Sequence, residues 1–381
     1  MRNERDQSVG CGQAMSPEEI DLWHMRRALQ LAAQGEGFVE PNPMVGCVIA
    51  HGAEIIGEGW HRRFGQAHAE VEALRMAGPR AAGATMYVTL EPCCHQGKTP
   101  PCTDAIIAAG VRRLVAALTD PFPAVSGGGL RRLREAGLQV STGLLAAEAE
   151  RLVAPYLKLI NTGIPWVIAK WAMTLDGKLF ARDGSSRWIS GEASRAAVHR
   201  LRGRVDAIVV GSRTAQRDDP LLTARPPGPR IATRIVLDSG GRLSSESQLV
   251  RTAAQFPLIV AVSSECPQAN RDRLQRAGCE VLVCQGQDQI ERLRSLLAEL
   301  GKRRFTNVLF EGGSQVFGTL LDGRLIDEVH VFIAPKLLGG EEAGPAIAGR
   351  GIEAIEKAVC LDSPVVEQLD GDVYLRARVR R

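Results

Sequence analysis

The sequence predicts two α/β domains in one chain. Apolar runs of strand length alternate with helix-period segments along most of it, and one polar turn near residue 160 interrupts the alternation. A chain of 381 residues is long for one core and comfortable for two. The first helix is expected over Pro17–Gln34, with Ser16 as N-cap and Pro17 in the first turn. Two strands follow, Met44–Ala50 and Glu54–Trp60, joined by a His51-Gly52 turn. A helix starting at His68–Ala69 runs to Met76, then a strand over Ala84–Leu90, a helix over Cys102–Ala109 and a strand over Val111–Leu118. Leu130–Ala136 and Leu138–Val140 continue the alternation, and the helical stretch Leu144–Ile160 leads to the turn Asn161–Pro165. Beyond it, strands are expected at Trp166–Met173, Ala207–Val210, Arg234–Asp238, Leu258–Val262, Cys279–Cys284, Asn307–Phe310 and Glu328–Ile333. Helices are expected at Gly191–Leu201, Pro267–Ala277, Gln289–Leu300 and Ser314–Leu320. The expected organisation is a disordered tail (1–16), a first domain (17–143), a helical linker (144–163) and a second domain (164–381).

Composition narrows the function classes. Apolar residues make up 45% and charged residues 24%, as in ordinary soluble proteins, and a net charge of +4 spread along the chain does not suggest nucleic-acid binding. No apolar run reaches membrane-spanning length, and Met1–Ser16 lacks the apolar stretch of a signal peptide. The nine cysteines are odd in number and follow no secreted-domain spacing, so reduced thiols and metal ligation in a cytoplasm are expected.

The most informative stretch is His68-Ala69-Glu70 with the downstream Pro92-Cys93-Cys94-His95-Gln96-Gly97-Lys98-Thr99-Pro100-Pro101-Cys102. One His, two Cys and a Glu two residues after the His form the zinc-deaminase pattern, in which the Glu carries protons and is not a ligand. His68, Cys93 and Cys102 would supply three tetrahedral positions, and the fourth would hold a water whose pKa the metal lowers. Glu70, placed with His68 at a helix start, would take that water's proton. Cys93 follows a buried strand and Cys102 opens a helix, where the dipole favours a thiolate. His-x-Glu alone is common by chance; the Pro-Cys segment at a strand-to-helix position gives it weight. The common signature closes with Cys-x-x-Cys, whereas here the last cysteine lies beyond an insert. Cys94 and His95 are therefore competing ligands. Cys94 ranks low because adjacent residues rarely aim at one ion, and His95 reads as a substrate contact or as a simple loop histidine.

The run from Pro41-Asn42-Pro43-Met44-Val45-Gly46-Cys47 through the His-Ala-Glu motif to Val88-Thr89-Leu90-Glu91-Pro92-Cys93 closely resembles the bacterial bifunctional riboflavin-biosynthesis enzymes. These join a diaminohydroxyphosphoribosylaminopyrimidine deaminase to a 5-amino-6-(5-phosphoribosylamino)uracil reductase. The Thr-Pro-Pro-Cys insert separates them from tRNA-adenosine and cytidine deaminases. Lys98 and Phe122 depart from the family's usual Arg and Asn. The resemblance implies a cytidine-deaminase-like α/β/α sandwich holding one zinc ion.

In the second half no Gly-x-Gly-x-x-Gly opens a βαβ unit, so a Rossmann site is not supported. Phe310-Glu311-Gly312-Gly313-Ser314 lies between a strand and a helix, where glycines let backbone N–H groups approach a phosphate. With Lys170, Thr174–Lys178, Ser186–Ile189 and Thr214–Arg225, it resembles the reductase half of the same enzymes, whose fold is similar to dihydrofolate reductase. The resemblance implies NADPH contacts at Ala172, Trp188, Thr214, Asp218, Ser239 and the loop Gly313, Ser314, Gln315, Val316, Phe317, Gly318 and Thr319. It implies substrate contacts at Ser186, Arg202, Leu222, Arg225 and Glu311. Arginine forks suit a sugar phosphate, with Arg202 and Arg225 as candidates, although each arginine alone reads more readily as a solvated surface residue, Trp188 equally as core and Asp218-Asp219-Pro220 as a turn. Arg187, Ser190 and the Gly211-Ser212-Arg213 run depart from the family's usual residues.

The expectation is a cytoplasmic, homo-oligomeric enzyme acting on a phosphoribosyl-pyrimidine with zinc and NADPH, binding neither nucleic acid nor membrane. A polynucleotide deaminase would want aromatic stacking residues, and these are only 4% of the chain. A second domain that binds nucleotide without catalysis is the other alternative.

Overall fold

Gly46 starts the first strand where a side chain has no room: a Cβ there would lie 2.0 Å from the Ala28 carbonyl oxygen of the first helix. Such close helix-on-sheet contacts set the layers of the first unit. The computed structural model describes residues 15–97, 100–185, 188–340 and 344–380. Residues 1–14 of the expected tail lie outside these, as do Lys98, Thr99, Ser186 and Arg187. The chain divides into two units, one running to Val153 apart from Glu40–Asn42, the other comprising Glu40–Asn42 and the chain from Ala154 onward.

The first unit contains α1 (Pro17–Ala33), β1 (Gly46–His51), β2 (Glu54–Trp60), α2 (Ala69–Ala77), β3 (Thr85–Val88), α3 (Cys102–Ala108), β4 (Arg113–Ala116), α4 (Gly128–Glu135) and β5 (Gln139–Thr142). Ser16 caps α1 as expected, within a capping box completed by Glu19. The sheet order is β2-β1-β3-β4-β5, antiparallel across β2-β1-β3 and parallel from β3 to β5. Gly46 faces α1, while the alternate positions Gly57 and Gly59 lie under Ala73 and Ala69 of α2. Met86, Val88, Ile106, Leu114, Leu130 and Leu133 bury α2, α3 and α4 against that second face. Helices on both faces give the expected α/β/α sandwich.

The helix α5 (Ala146–Thr162) spans the division and takes up Asn161 and Thr162 of the expected polar turn, of which only Gly163–Pro165 lie beyond the helix. The second unit has β6 (Trp166–Thr174), α6 (Glu192–Arg202), β7 (Ala207–Gly211), α7 (Ser212–Asp218), β8 (Thr233–Leu237), α8 (Gln248–Arg251) and β9 (Leu258–Ser263). It continues with α9 (Gln268–Arg276), β10 (Glu280–Cys284), α10 (Gln289–Lys302), β11 (Asn307–Phe310), α11 (Ser314–Asp322), β12 (Glu328–Ala334), β13 (Leu361–Leu369) and β14 (Asp372–Val379). The sheet order is β10-β9-β8-β7-β11-β6-β12-β14-β13, parallel as far as β12 and antiparallel at the β14–β13 edge. One apolar core lies between the sheet and α10 and α11, through Leu296, Leu297, Phe317 and Leu320. The other lies on the opposite face with α6, α8 and α9, through Leu201, Leu249 and Leu274. Because β11 inserts between β6 and β7, the chain reverses its winding there, which in open α/β sheets creates a crevice at the strands' carboxyl ends.

Four elements escaped the sequence reading: the short helices α7 and α8 and the hairpin β13–β14. α8 has only four residues, and β13 contains Pro364 and a register shift between Asp362 and Val365, which blur its alternation.

Replacing Gly46 by alanine pushes α1 off β1, and we expect a loss of about 2 kcal/mol or more in the first unit's stability, read by chemical denaturation.

Candidate active sites

Two strand-to-helix junctions build the first site. His68 is the extended residue capping α2, so its ring points back past the helix start, and Glu70 sits in the first turn beside it. Cys93 follows β3 by a short extended segment, and Cys102 is the first residue of α3. Their ligand atoms lie within 4.8 Å of one another. His68 Nδ1 is 3.2 Å from Cys102 Sγ and 3.5 Å from Cys93 Sγ. Zinc–ligand bonds of ordinary length at tetrahedral angles separate a nitrogen from a sulfur by about 3.5 Å, so the triangle fits that ion.

The electrostatics fit as well. The Cys93 thiol is pulled down to about 4, chiefly by the Cys102 thiol, and also by His68 and the Cys102 backbone N–H that donates to its sulfur at 3.3 Å. The Cys102 thiol moves the opposite way, raised by Cys93, by burial and by the Glu70 charge. The hydrogen bond with Cys93 raises His68 above the ordinary imidazole value. Glu70 is 3% exposed, and burial raises its carboxyl. A carboxyl with a raised value is suited to receive and return a proton.

Cys94 turns away from the triangle, with its thiol 3.8 Å from the Ala124 carbonyl. His95 lies beside the Phe122 ring at 5.9 Å, and its Nδ1 is buried without a hydrogen-bond partner among the described residues. His61 was not singled out from sequence. Its Nδ1–H donates to the Ala67 carbonyl at 3.1 Å, and its ring stands edge-on to His68 at 5.3 Å, bracing the ligand. Only its position just after β2 could have signalled this.

The second site is a cleft of about 1640 Å³ in the second unit, at the carboxyl ends of β7, β8 and β11. Ala172, Trp188, Thr214, Asp218 and Ser239 all line it, as do Arg202, Leu222, Arg225 and Glu311. From the α11 loop, Gly313, Ser314, Gln315, Val316, Phe317 and Thr319 contribute. Gly318 does not, because it packs against the Ala348 carbonyl. Trp188 is 66% exposed, with the Arg195 guanidinium 4.7 Å above its ring, so it belongs to the cleft wall and not to the core. Ser186 lies outside the described residues.

The cleft has the cradle a dinucleotide requires. A Cβ at Gly211 would meet Val316 at 3.1 Å and one at Gly312 would meet Thr214 at 3.2 Å, while Gly313 has φ +86 where α11 begins. Backbone can approach a diphosphate there at a helix N-terminus.

Glu311, immediately after β11, organises the adjacent charges. Its carboxylate accepts Nε–H and Nη2–H of Arg202 at 2.6 and 2.8 Å, and Lys170 Nζ at 3.4 Å. These side chains are only 3%, 14% and 14% exposed, so water screens them little. Burial alone would raise the Glu311 carboxyl, but Arg202 and Lys170 outweigh it and hold it at about 2. Burial lowers the Lys170 ammonium, and Glu311 opposes that. Glu311 thus engages the Nε and Nη2 of the Arg202 guanidinium, while Nη1 lies 3.4 Å from the Thr223 carbonyl oxygen. Arg225 also lines the cleft and has no such partner among the described residues.

Two family models match: the cytidine and deoxycytidylate deaminase zinc-binding region over residues 18–118, and the RibD C-terminal domain over residues 165–375. The chain is 41% identical to the riboflavin biosynthesis protein RibD of Actinobacillus pleuropneumoniae, over 93% of this chain and 94% of that one. It is 42% identical to RibD of Escherichia coli, over 85% and 90%. Among solved structures it is similar to Acinetobacter baumannii RibD, with TM-score 0.84 and 35% identity over 96% of this chain and 100% of that one. It is also similar to a diaminohydroxyphosphoribosylaminopyrimidine deaminase/5-amino-6-(5-phosphoribosylamino)uracil reductase from Thermotoga maritima, with TM-score 0.81 and 34% identity over 95% and 99%.

Replacing Glu311 by glutamine strands Arg202 and Lys170, and we expect a loss of about 3 kcal/mol near neutral pH. A carboxyl held at about 2 against an ordinary 4.5 contributes stability that is complete above 4.5 and lost as pH falls through about 2. The gap between wild type and variant, read by urea unfolding across that range, should close toward the acid end.

Proposed function

This chain belongs to the RibD family of riboflavin biosynthesis proteins, and from that premise we infer the residues that perform each of its two reactions. It is a bifunctional enzyme of riboflavin biosynthesis, combining a cytidine-deaminase-like zinc domain with a dihydrofolate-reductase-like, NADPH-dependent reductase domain. We assign residues 17–143 to the deaminase, 144–163 to a helical linker and 164–381 to the reductase. The deaminase substrate is 2,5-diamino-6-(5-phosphoribosylamino)pyrimidin-4-one, and reduction of the deaminated product's ribosyl chain gives 5-amino-6-(5-phosphoribitylamino)uracil.

The observation that carries the deaminase reading is the His68–Cys93–Cys102 triangle with Glu70 buried in the same helix turn. Zinc, when bound, supplies Lewis acidity that brings a water's pKa near neutrality. His68, Cys93 and Cys102 would hold the ion, and with only three protein ligands the site would stay open to water. Glu70 Oε would take a proton from the attacking water and pass it to the pyrimidine ring nitrogen as the water oxygen bonds to the amine-bearing carbon. It would then move the proton of the new hydroxyl to the amine, which leaves as ammonia as the C–N bond breaks. Three protein ligands and an adjacent acid–base group mark a catalytic site, since a structural one closes with four.

In the reductase, NADPH supplies the hydride. Gly312, Gly313 and Thr214, with Trp188 and Ala172 in the same cleft, would hold the cofactor. Asp218, Ser239 and the α11 loop complete the cofactor contacts. The Arg202–Glu311 pair would present a polar surface to the sugar, beside Leu222 and Arg225, whose guanidinium has no charged partner among the described residues. Ser186, outside the described residues, is assigned its substrate contact from the family resemblance alone. We propose that the enzyme works in the cytoplasm as a homo-oligomer on this small-molecule substrate, without nucleic acid or membrane. Among the described residues, no helix is long and apolar enough to cross a membrane.

Mass spectrometry of the diamino-pyrimidine substrate tests the reading. Zinc-loaded protein alone should convert an amine to a carbonyl, and added NADPH should add two hydrogens. No conversion by protein shown to hold zinc would refute the substrate assignment. Glu70→Gln should lower deamination by about 10²–10⁴-fold while reduction of the deaminated intermediate persists.

A further inference from the structure

Glu91 lies two residues before Cys93 and is 4% exposed. Its Oε2 accepts the backbone N–H of Asp120 at 3.1 Å and of Gly127 at 3.0 Å. Its Oε1 accepts those of Gly129 at 2.9 Å and Leu130 at 3.2 Å. Among the described residues, its hydrogen-bond partners are all backbone N–H groups. A buried carboxylate held in this way is costly to assemble unless every donor is fixed.

These four donors belong to the segment from the end of the Asp120 turn to the first turn of α4. The α4 N-terminus has no side-chain cap of its own, so Glu91 caps it from another element. Gly129 is pressed so closely on the junction that a Cβ there would lie 2.1 Å from the Pro92 carbonyl oxygen. On its other side, Cys93 is tied to α3: its carbonyl accepts Thr103 N–H at 3.2 Å and its sulfur accepts Cys102 N–H at 3.3 Å. The Pro92-Cys93 peptide is thus clamped between α4, through Glu91, and α3. The segment that hangs from Glu91 also carries Phe122 to the His95 ring and Ala124 to the Cys94 thiol.

We propose that Glu91 is a positioning residue of the deaminase site, setting both the Cys93 sulfur and the Phe122-bearing wall beside it. The inference rests on the deaminase reading above, yet its principal test is metal binding and does not depend on turnover. Glutamine keeps the shape, but its single carbonyl oxygen can serve only one pair of the four donors, and its NH2 faces the other pair.

The experiment compares full-length wild type with E91Q by competitive zinc titration and by the spectrum of the cobalt-substituted protein. Deaminase KM and reduction by the second domain are measured on the same samples. Zinc affinity should fall about 10–100-fold, the thiolate-to-cobalt band should shift, KM should rise, and reduction should be unchanged. Zinc affinity and cobalt spectrum equal to wild type, with only a lower melting temperature, would overturn the proposal and leave Glu91 as a helix cap. If hydrogen exchange shows the E91Q deaminase unit to be unfolded, E91D decides: intermediate zinc affinity supports the proposal and wild-type affinity overturns it. A wild type that binds zinc but does not deaminate would refute the functional reading while leaving the Glu91 test intact.

Discussion

Three ligand atoms from two separate strand-to-helix junctions must meet within a few ångströms, and the rest of the deaminase unit depends on that meeting. His68 comes from the start of α2, while Cys93 and Cys102 frame the loop between β3 and α3. Neither junction can move alone. α2 is pressed onto β2 at Gly57 and Gly59, where any side chain would force it away, and α3 is tied to Cys93 through two backbone N–H groups. The shared core under α2, α3 and α4 then makes the metal triangle a property of sheet packing and not of a flexible loop. The same packing buries Glu70, so its basicity follows from where the helix must sit.

The reductase unit solves a different problem. Hydride transfer asks for positioning and exclusion of water more than for an acid–base pair, and the residues reflect it. The Glu311 carboxylate gathers Arg202 and Lys170 from α6 and β6, so that three elements meeting at the winding reversal are fixed by one set of charged hydrogen bonds. Such a cluster has its orientation set before ligand arrives, which lowers the reorganisation needed on binding.

The two sites were unequally legible in the amino-acid sequence. His68, Glu70, Cys93 and Cys102 announce themselves because a metal site reuses short, fixed offsets at helix starts, and those offsets survive in one dimension. The parallel strands of both sheets were readable because buried parallel strands are continuous apolar runs such as Leu258–Ser263, whereas the antiparallel edge β13–β14 was not. The Arg202–Glu311 pairing was not readable: 109 residues separate the partners, and an arginine expected to fork a phosphate is instead bound to a carboxylate. That Gly318 does not line the cleft with its α11 neighbours was not readable either, since only the fold brings Ala348 against that face of α11. The support of His68 by His61 was likewise invisible, because a histidine after a strand has many possible surroundings.

The central claim is that His68, Cys93 and Cys102 make an open, three-ligand zinc site. X-ray absorption at the zinc edge of the purified protein tests it most directly. The account predicts one zinc per chain, two sulfur neighbours at about 2.3 Å, one imidazole nitrogen, and one further light atom from solvent. A third sulfur neighbour would show a closed structural centre and contradict it.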